Sequence, residues 1–433
     1  MIRSMIRGIV VLLISAILFL SASPCAFAQE EESVSDRKGT APAEGPWLDE
    51  QFDDDGSAYD NPPTAVSQVR VGISYGESAV DAAYFWNPQG AGFRVGYYDE
   101  ERVFHERFQT PCEFLLVTWA ADEVNGLMIL GGEEQAVLWL SGEEESLAFQ
   151  PLAGETAYGV HRYLGGFECR KLPDGLMSVI NCVDLENYVK GVVPYEMSGD
   201  WPAEALKAQA VCARTYMVYN QNAYADQGFD ITDDTESQVY HGTELANPQT
   251  DAAVDETAGQ LIRYKGEVCQ IYYFAADGGC TEDGLYIFGA DRPYLQGKRD
   301  PFEAFEDSAF RRWTRRYYGE YISERLASKG YLIGPIVSVQ PEYSAMGNVV
   351  AIRYTAENGE SLRLEGRECC SPLNLPSQRF AVRLDNMGRF VFSGRGLGHN
   401  CGLSQWGARA MDEVYGYTYR QIIAFYFTGA YVA

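Results

Sequence analysis

Residues Tyr188 to Tyr216 read YVKGVVPYEMSGDWPAEALKAQAVCARTY, and no other run in the chain constrains the fold as tightly. The first part is an apolar, β-branched run that reads as a strand and ends in a bend at Pro194, where it delivers one carboxylate, Glu196. A short turn then starts a helix over residues 202–221, with Pro202 in its first turn and Glu204 near its positive end. Leu206, Ala210, Ala213 and Met217 recur at helical spacing and form one apolar stripe, with Lys207 and Arg214 on a neighbouring face. One acid beside a polar helix flank suits catalysis. On residue type alone, a lone glutamate after an apolar run is more often structural or solvated.

The N-terminus reads as a secretory signal over residues 1–28. Arg3 and Arg7 make a basic start, Ile9–Leu20 is apolar except for Ser15, and Ala26-Phe27-Ala28 is a small-x-small cleavage site. The apolar run is short for a membrane span, which needs about 20 residues; left uncleaved, it would anchor the chain to a membrane. Residues 29–64 form an acidic linker, with clusters at Glu30–Glu32 and Asp53–Asp55, and bury too little apolar surface to offset chain entropy. The net charge of −27 excludes a nucleic-acid partner and docking on anionic lipid, both of which need clustered Lys and Arg. Ten irregularly spaced cysteines, one of them in the signal, form no disulfide framework and are read as buried thiols. Cys169 and Cys182 flank the Pro173-Asp174-Gly175 turn, where a hairpin could set them opposite each other.

The remainder is read as α+β in two domains. Over residues 65–152 short alternating runs (Val69, Val71 and Ile73; Phe93, Val95 and Tyr97; Leu115, Val117 and Trp119; Val137 and Trp139) predict a small β-rich domain without a catalytic constellation. Residues 158–433 mix strands and helices. Strands are expected near 261–264 and 268–274, a second β patch over 336–382, and terminal helices over 404–415 and 419–427. Thr418 with Gln421 suits a capping box on the last of these.

Four ordered blocks in this second part are similar to the SpoIID/LytB family. They are VVPYEM with WPAEALKAQA and ARTY; Asp233-Asp234-Thr235 with Ser237-Gln238-Val239-Tyr240 and Gly242; YYFAADGGCTE (272–282) with Pro293-Tyr294-Leu295; and FSGRGLGHNCGLSQWGA (392–408) with the YTYRQIIAFYFTGA ending. Sporulation members of this family are peptidoglycan lytic transglycosylases, and LytB-type members were named as amidase enhancers. The resemblance therefore implies a SpoIID-like catalytic domain acting on peptidoglycan glycan strands in sporulation or wall remodelling. It implies a secreted, wall-associated location, with a muramoyl amidase as the alternative partner.

By position, the family's catalytic glutamate is Glu196. A hydrolytic glycosidase needs two carboxylates, whereas a lytic transglycosylase can use one, first as acid and then as base. Such an acid must start protonated, and Val192, Val193, Pro194, Tyr195 and Met197 are apolar surroundings suited to that. The substrate-binding set carried over with it is Lys207, Gln209, Arg214, Gln238, Tyr240, Gly278, Gly279, Thr281, His399, Ser404 and Gln405. Lys207 and Arg214 admit two readings: ordinary polarity with a Glu204–Lys207 pair, or capture of a muramic lactyl carboxylate. In the second, a cation close to Glu196 would oppose its acid role. Glu282 is a second carboxylate expected at the solvated surface. The Gly394–His399 run misses the spacing of a phosphate cradle. Some clostridial relatives bind zinc around the block that here spans 230–238, but this chain has Thr232, Glu236 and Ser237 there. His241, Cys280, His399 and Cys401 lack zinc-site spacing, so no metal or other cofactor is expected.

Overall fold

The computed structural model describes residues 66–119, 127–131, 135–137, 146–303 and 312–433. The expected signal segment, the linker and Trp139 lie outside these. The architecture is α+β, as the residue pattern predicts. A seven-stranded sheet runs in the order Ile231–Thr232, Gln68–Ser74, Met177–Asp184, Gly166–Lys171, Ser146–Pro151, Phe93–Tyr98 and Phe104–Thr110. A six-stranded sheet runs His161–Tyr163, Thr156–Tyr158, Ala82–Trp86, Phe114–Trp119, Leu127–Gly131 and Gln135–Val137. The alternating residues Val69, Val71, Phe93, Val95, Phe149 and Phe167 are buried with Phe85, Leu115 and Val117 of the second sheet. Phe85 lies 4.6 Å from Phe149 and 5.0 Å from Phe167, ring to ring.

This arrangement crosses the expected boundary near 152–158. Val69 pairs with Val183 and Phe149 with Phe167, so strands from both sides share one sheet and one core. Strand alternation reports which face is buried but not which strands pair, and the β-rich segment is a layer of the larger unit. Cys169 pairs with Val179, and Cys182 with Gly166. The two cysteines are therefore out of register and remain free thiols.

The described residues form seven helices: α1 Leu185–Glu196, α2 Ala203–Tyr219, α3 Pro248–Glu256, α4 Gly284–Phe288, α5 Gly319–Ala327, α6 Gln405–Glu413 and α7 Tyr419–Tyr426. The run before Glu196 is thus a helix and not a strand. Asp184 caps it by accepting the Asn187 N–H at 3.0 Å, and Tyr188, Val189, Val192 and Val193 fall at helical spacing against the core. Packing of that face overrides the strand preference of its valines. Pro194 in the last turn removes one helical hydrogen bond, and the helix stops two residues later. Helix α2 is buried almost all round, apolar stripe included, and packs against α1, α3, α6 and α7. The Thr418–Gln421 capping box forms as expected.

A second core lies within residues 313–392, around Ile322, Leu326, Ile352, Tyr354, Phe380 and Phe392. It holds two three-stranded sheets, Trp313–Tyr317 with Phe390–Gly394 and Phe380–Leu384, and Ile336–Tyr343 with Val349–Ala356 and Ser361–Glu365.

Gly191 marks the closest approach to α1: a Cβ there would lie 2.4 Å from the Tyr240 ring. At an exposed helix position Gly→Ala stabilises by about 1 kcal/mol. Here Gly191→Ala is expected to destabilise by about 1–3 kcal/mol through overpacking, read as a lower urea midpoint.

Candidate functional site

Two residues of parallel pairing assemble the site. Tyr273 pairs with Leu403 and Phe274 with Ser404, which sets the third block beside the fourth. The C-terminus of α1 then brings Glu196 against both. The Tyr273 hydroxyl donates to Glu196 Oε1 at 3.3 Å, and Gln405 Nε2 donates to Oε2 at 3.0 Å. Behind Tyr273 the network continues inward. Gln238 Nε2 donates to the Tyr273 hydroxyl at 2.8 Å, and the Tyr188 hydroxyl donates to Gln238 Oε1 at 3.0 Å. Gln209 accepts from Gln405 at 3.4 Å and is fully buried.

Burial raises the pKa of Glu196, because a desolvated carboxyl resists ionising; the hydrogen bonds from Gln405 and Tyr273 pull it partly back. Burial and the nearby Glu196 charge push the Tyr273 phenol well up, so it stays a donor. Both hydrogen-bond partners of the carboxyl among the described residues are thus neutral groups. The arrangement can hold a proton on Glu196 and stabilise the carboxylate once that proton has left.

Of the expected substrate-binding residues, Gln209, Gln238 and Gln405 join this network. His399 reaches it through the backbone. Its Nδ1 accepts the Cys401 N–H at 3.2 Å, which leaves Nε2 to donate to the Tyr273 carbonyl at 3.1 Å. Burial, then the charge of Arg367, lowers its pKa to about 3, so the ring is neutral and its tautomer fixed.

The other residues are engaged elsewhere. Arg214 is 0% exposed and grips Glu186 with two hydrogen bonds, Nε to Oε1 at 2.9 Å and Nη2 to Oε2 at 2.6 Å; it also donates to the carbonyls of Gln260 and Val254. Lys207 lies between Glu204 and Glu256, at 2.8 and 2.7 Å, and these two bonds raise its pKa. Neither cation contacts Glu196 in the described interactions. Tyr240 is a core residue whose hydroxyl donates to Asn181 at 2.8 Å. Gly278 and Gly279, at positive φ, donate their N–H groups to Glu303 and Asp277. The Thr281 hydroxyl accepts the Lys298 N–H at 3.0 Å, and Ser404 caps α6 while donating to Glu303 at 2.9 Å. Glu282, expected at the surface, is 2% exposed and accepts from Ser344 and the Asp283 N–H.

Three aromatic residues escaped the residue-by-residue reading. Tyr273 lies inside the YYFAADGGCTE block, and only the fold distinguishes it from Tyr272. Trp201 and Trp406, which follow Glu196 and Gln405 closely in the chain, pack 5.1 Å apart with the Arg409 guanidinium over both rings. Among the described residues, one set of acidic, His or Cys side chains is close enough to share a metal ion: Asp277, Asp300 and Glu303.

Comparison with known proteins follows the same blocks. Residues 174–264 match the model for SpoIID, stage II sporulation protein. An uncharacterised protein of Brachyspira hyodysenteriae is 34% identical over 293 residues, covering 66% of this chain and 76% of that protein. Stage II sporulation protein D of Bacillus subtilis is 29% identical over 271 residues, 58% of this chain and 75% of that protein. The chain belongs to the SpoIID/LytB family. The amidase enhancer of Bacillus subtilis is 28% identical over 289 residues, 56% of this chain but only 39% of that protein.

Arg214→Ala separates anchoring from substrate capture. It removes the buried member of an ion pair whose other member, Glu186, is 30% exposed, so a stability loss of about 1.5–3 kcal/mol is expected in urea denaturation. A loss of glycan binding with unchanged stability would restore the substrate-binding role.

Proposed function

We propose that this member of the SpoIID/LytB family is an exported lytic transglycosylase acting on peptidoglycan glycan strands, preferably those stripped of stem peptides. The observation that carries the reading is a single partly buried carboxyl, Glu196, with a raised pKa and two neutral donors, Tyr273 and Gln405. Glu196 protonates the glycosidic oxygen as the C1–O bond breaks. The resulting carboxylate takes the proton from the C6 hydroxyl of the muramic acid, whose oxygen bonds to C1 and closes a 1,6-anhydro ring. One residue serves both steps and no water is consumed. Gln405 and Tyr273 stabilise the carboxylate between them.

Glu196→Gln keeps the shape and removes the proton. On denuded glycan, anhydro-ended products counted by mass spectrometry are expected to form about 10²–10⁴-fold more slowly. Equal product profiles for the two proteins would sink the proposal.

The pH dependence has a definite sign. The active form carries the proton, so the rate is full below the raised pKa of Glu196 and falls as pH rises through it. Tyr273→Phe removes a donor that favours the carboxylate, and the alkaline limb is expected to move to higher pH. A shift to lower pH would contradict the assigned role of Tyr273.

A second reading is a non-catalytic wall-binding protein that enhances a muramoyl amidase, supported by the name of the Bacillus subtilis relative. Under it, added amidase gains activity in proportion to this protein, and the gain survives Glu196→Gln.

A further inference from the structure

Behind the Gly278–Gly279 loop three carboxylates converge from two segments of the chain. One carboxylate oxygen each from Asp277, Asp300 and Glu303 lies within 4.8 Å of the other two. Asp277 is 0% and Asp300 5% exposed. Their hydrogen-bond donors are all neutral. Asp300 accepts the Phe302 and Glu303 N–H groups at 2.7 and 3.2 Å and the Tyr426 hydroxyl at 2.6 Å. Glu303 accepts the Asp277 and Gly278 N–H groups at 2.6 and 3.1 Å and the Ser404 hydroxyl at 2.9 Å. Asp277 Oδ1 accepts the Gly279 N–H at 2.5 Å, whereas its Oδ2 is buried with no hydrogen-bond partner. The nearby amine, Lys298, is spent on the Phe425 carbonyl and the Thr428 hydroxyl.

Two buried carboxylates and a half-buried third, with no cationic partner among the described residues, are costly, since desolvation amounts to several kcal/mol for a buried ion. Facing carboxylate oxygens can be bridged by a proton, a water or a cation; burial raises the pKa of Asp277 and Glu303, and a water would leave all the charge in place. One proton would leave two charges, and a second would have to find an acceptor among oxygens already occupied. A dication lowers the charge at once, can take one oxygen from each acid, and offers a partner to the orphaned Asp277 Oδ2. The donors are oxygen only, three of them acidic, which suits a hard cation with a flexible shell and not zinc.

We propose that Asp277, Asp300 and Glu303 bind one divalent hard cation, calcium foremost, which ties the Gly278–Gly279 loop and residues 300–303 to the head of α6. Its role is structural, because Ser404 joins this cluster while its neighbour Gln405 holds Glu196.

The test uses the full chain stripped with a chelator, titrated with calcium, magnesium or zinc chloride up to about 10 mM, above the roughly 10⁻⁴–10⁻³ M range of extracellular calcium modules. Thermal melting and calorimetry are the readouts. Calcium is expected to bind one to one and to raise the melting midpoint by several degrees, with magnesium weaker. Asp277→Asn and Glu303→Gln are each expected to lose both effects. Circular dichroism checks their fold, and Asp277→Asn, which removes a buried charge, should melt no lower than the stripped parent. The proposal is overturned if no cation binds, if zinc alone binds, or if calcium shifts parent and variants equally. Stability of the stripped parent rising on mild acidification, with no response to calcium, would mean that protons bridge the acids instead.

Discussion

The short parallel pairing of Tyr273–Phe274 with Leu403–Ser404 is the contact on which the site depends. It joins segments that the second core separates in sequence, and it does so with few backbone hydrogen bonds. The hydrogen-bond donors to Glu196 among the described residues arrive through it: the Tyr273 hydroxyl from one strand, and Gln405 from the residue after the other. Neighbouring contacts reinforce so small a ladder. The His399 ring donates to the Tyr273 carbonyl, Ala276 bridges to Leu397, and the Trp406 N–H donates to the Ala275 carbonyl. The glycines of the fourth block belong to this assembly. Gly402 lies where a Cβ would sit 2.1 Å from the Tyr272 carbonyl oxygen, and Gly398 where one would press on Phe274.

The charge pattern around Glu196 follows from the chain's acidity. Carboxylates outnumber cations, and the two cations of α2 are claimed by glutamates, Arg214 by Glu186 and Lys207 by Glu204 and Glu256. A cation beside Glu196 would favour its ionised form and draw the proton away. These side chains are held in ion pairs of their own, and among the described residues the hydrogen bonds to the Glu196 carboxyl come from a neutral amide and a phenol. Arg214 in return fastens α2 to α1, the helix that carries Glu196.

Much of this was legible in the residues and some was not, for physical reasons. The span of α2, its apolar stripe and the Thr418–Gln421 cap are local features, and local pattern suffices for them. The blocks marked Glu196, Gln238, His399 and Gln405 as worth attention, and these share one network. Arg214 and Tyr240 lie in the same blocks for packing and anchoring, because a motif marks constrained residues without saying which constraint applies. Helix α1 looked like a strand since valine serves either state, and tertiary contact decides. The boundary near residue 155 could not survive strand pairing, which sequence alternation leaves open. Tyr273, Glu186 and the acid triad depend on distant partners that no window of sequence contains.

The second core has a topological consequence. Its first and last strands, Trp313–Tyr317 and Phe390–Gly394, pair with each other, and Trp313 sits directly across from Gly394. The chain thus leaves and returns at neighbouring points, so the excursion is closed at its base like a stem. Residues within it still reach the rest of the chain, Ser344 by donating to Glu282 and Arg367 by its charge near His399, so change is best tolerated in the parts that make no such contact. Such a closed base is a natural graft point: a different module could take the place of residues between these strands while the pairing at the base is kept.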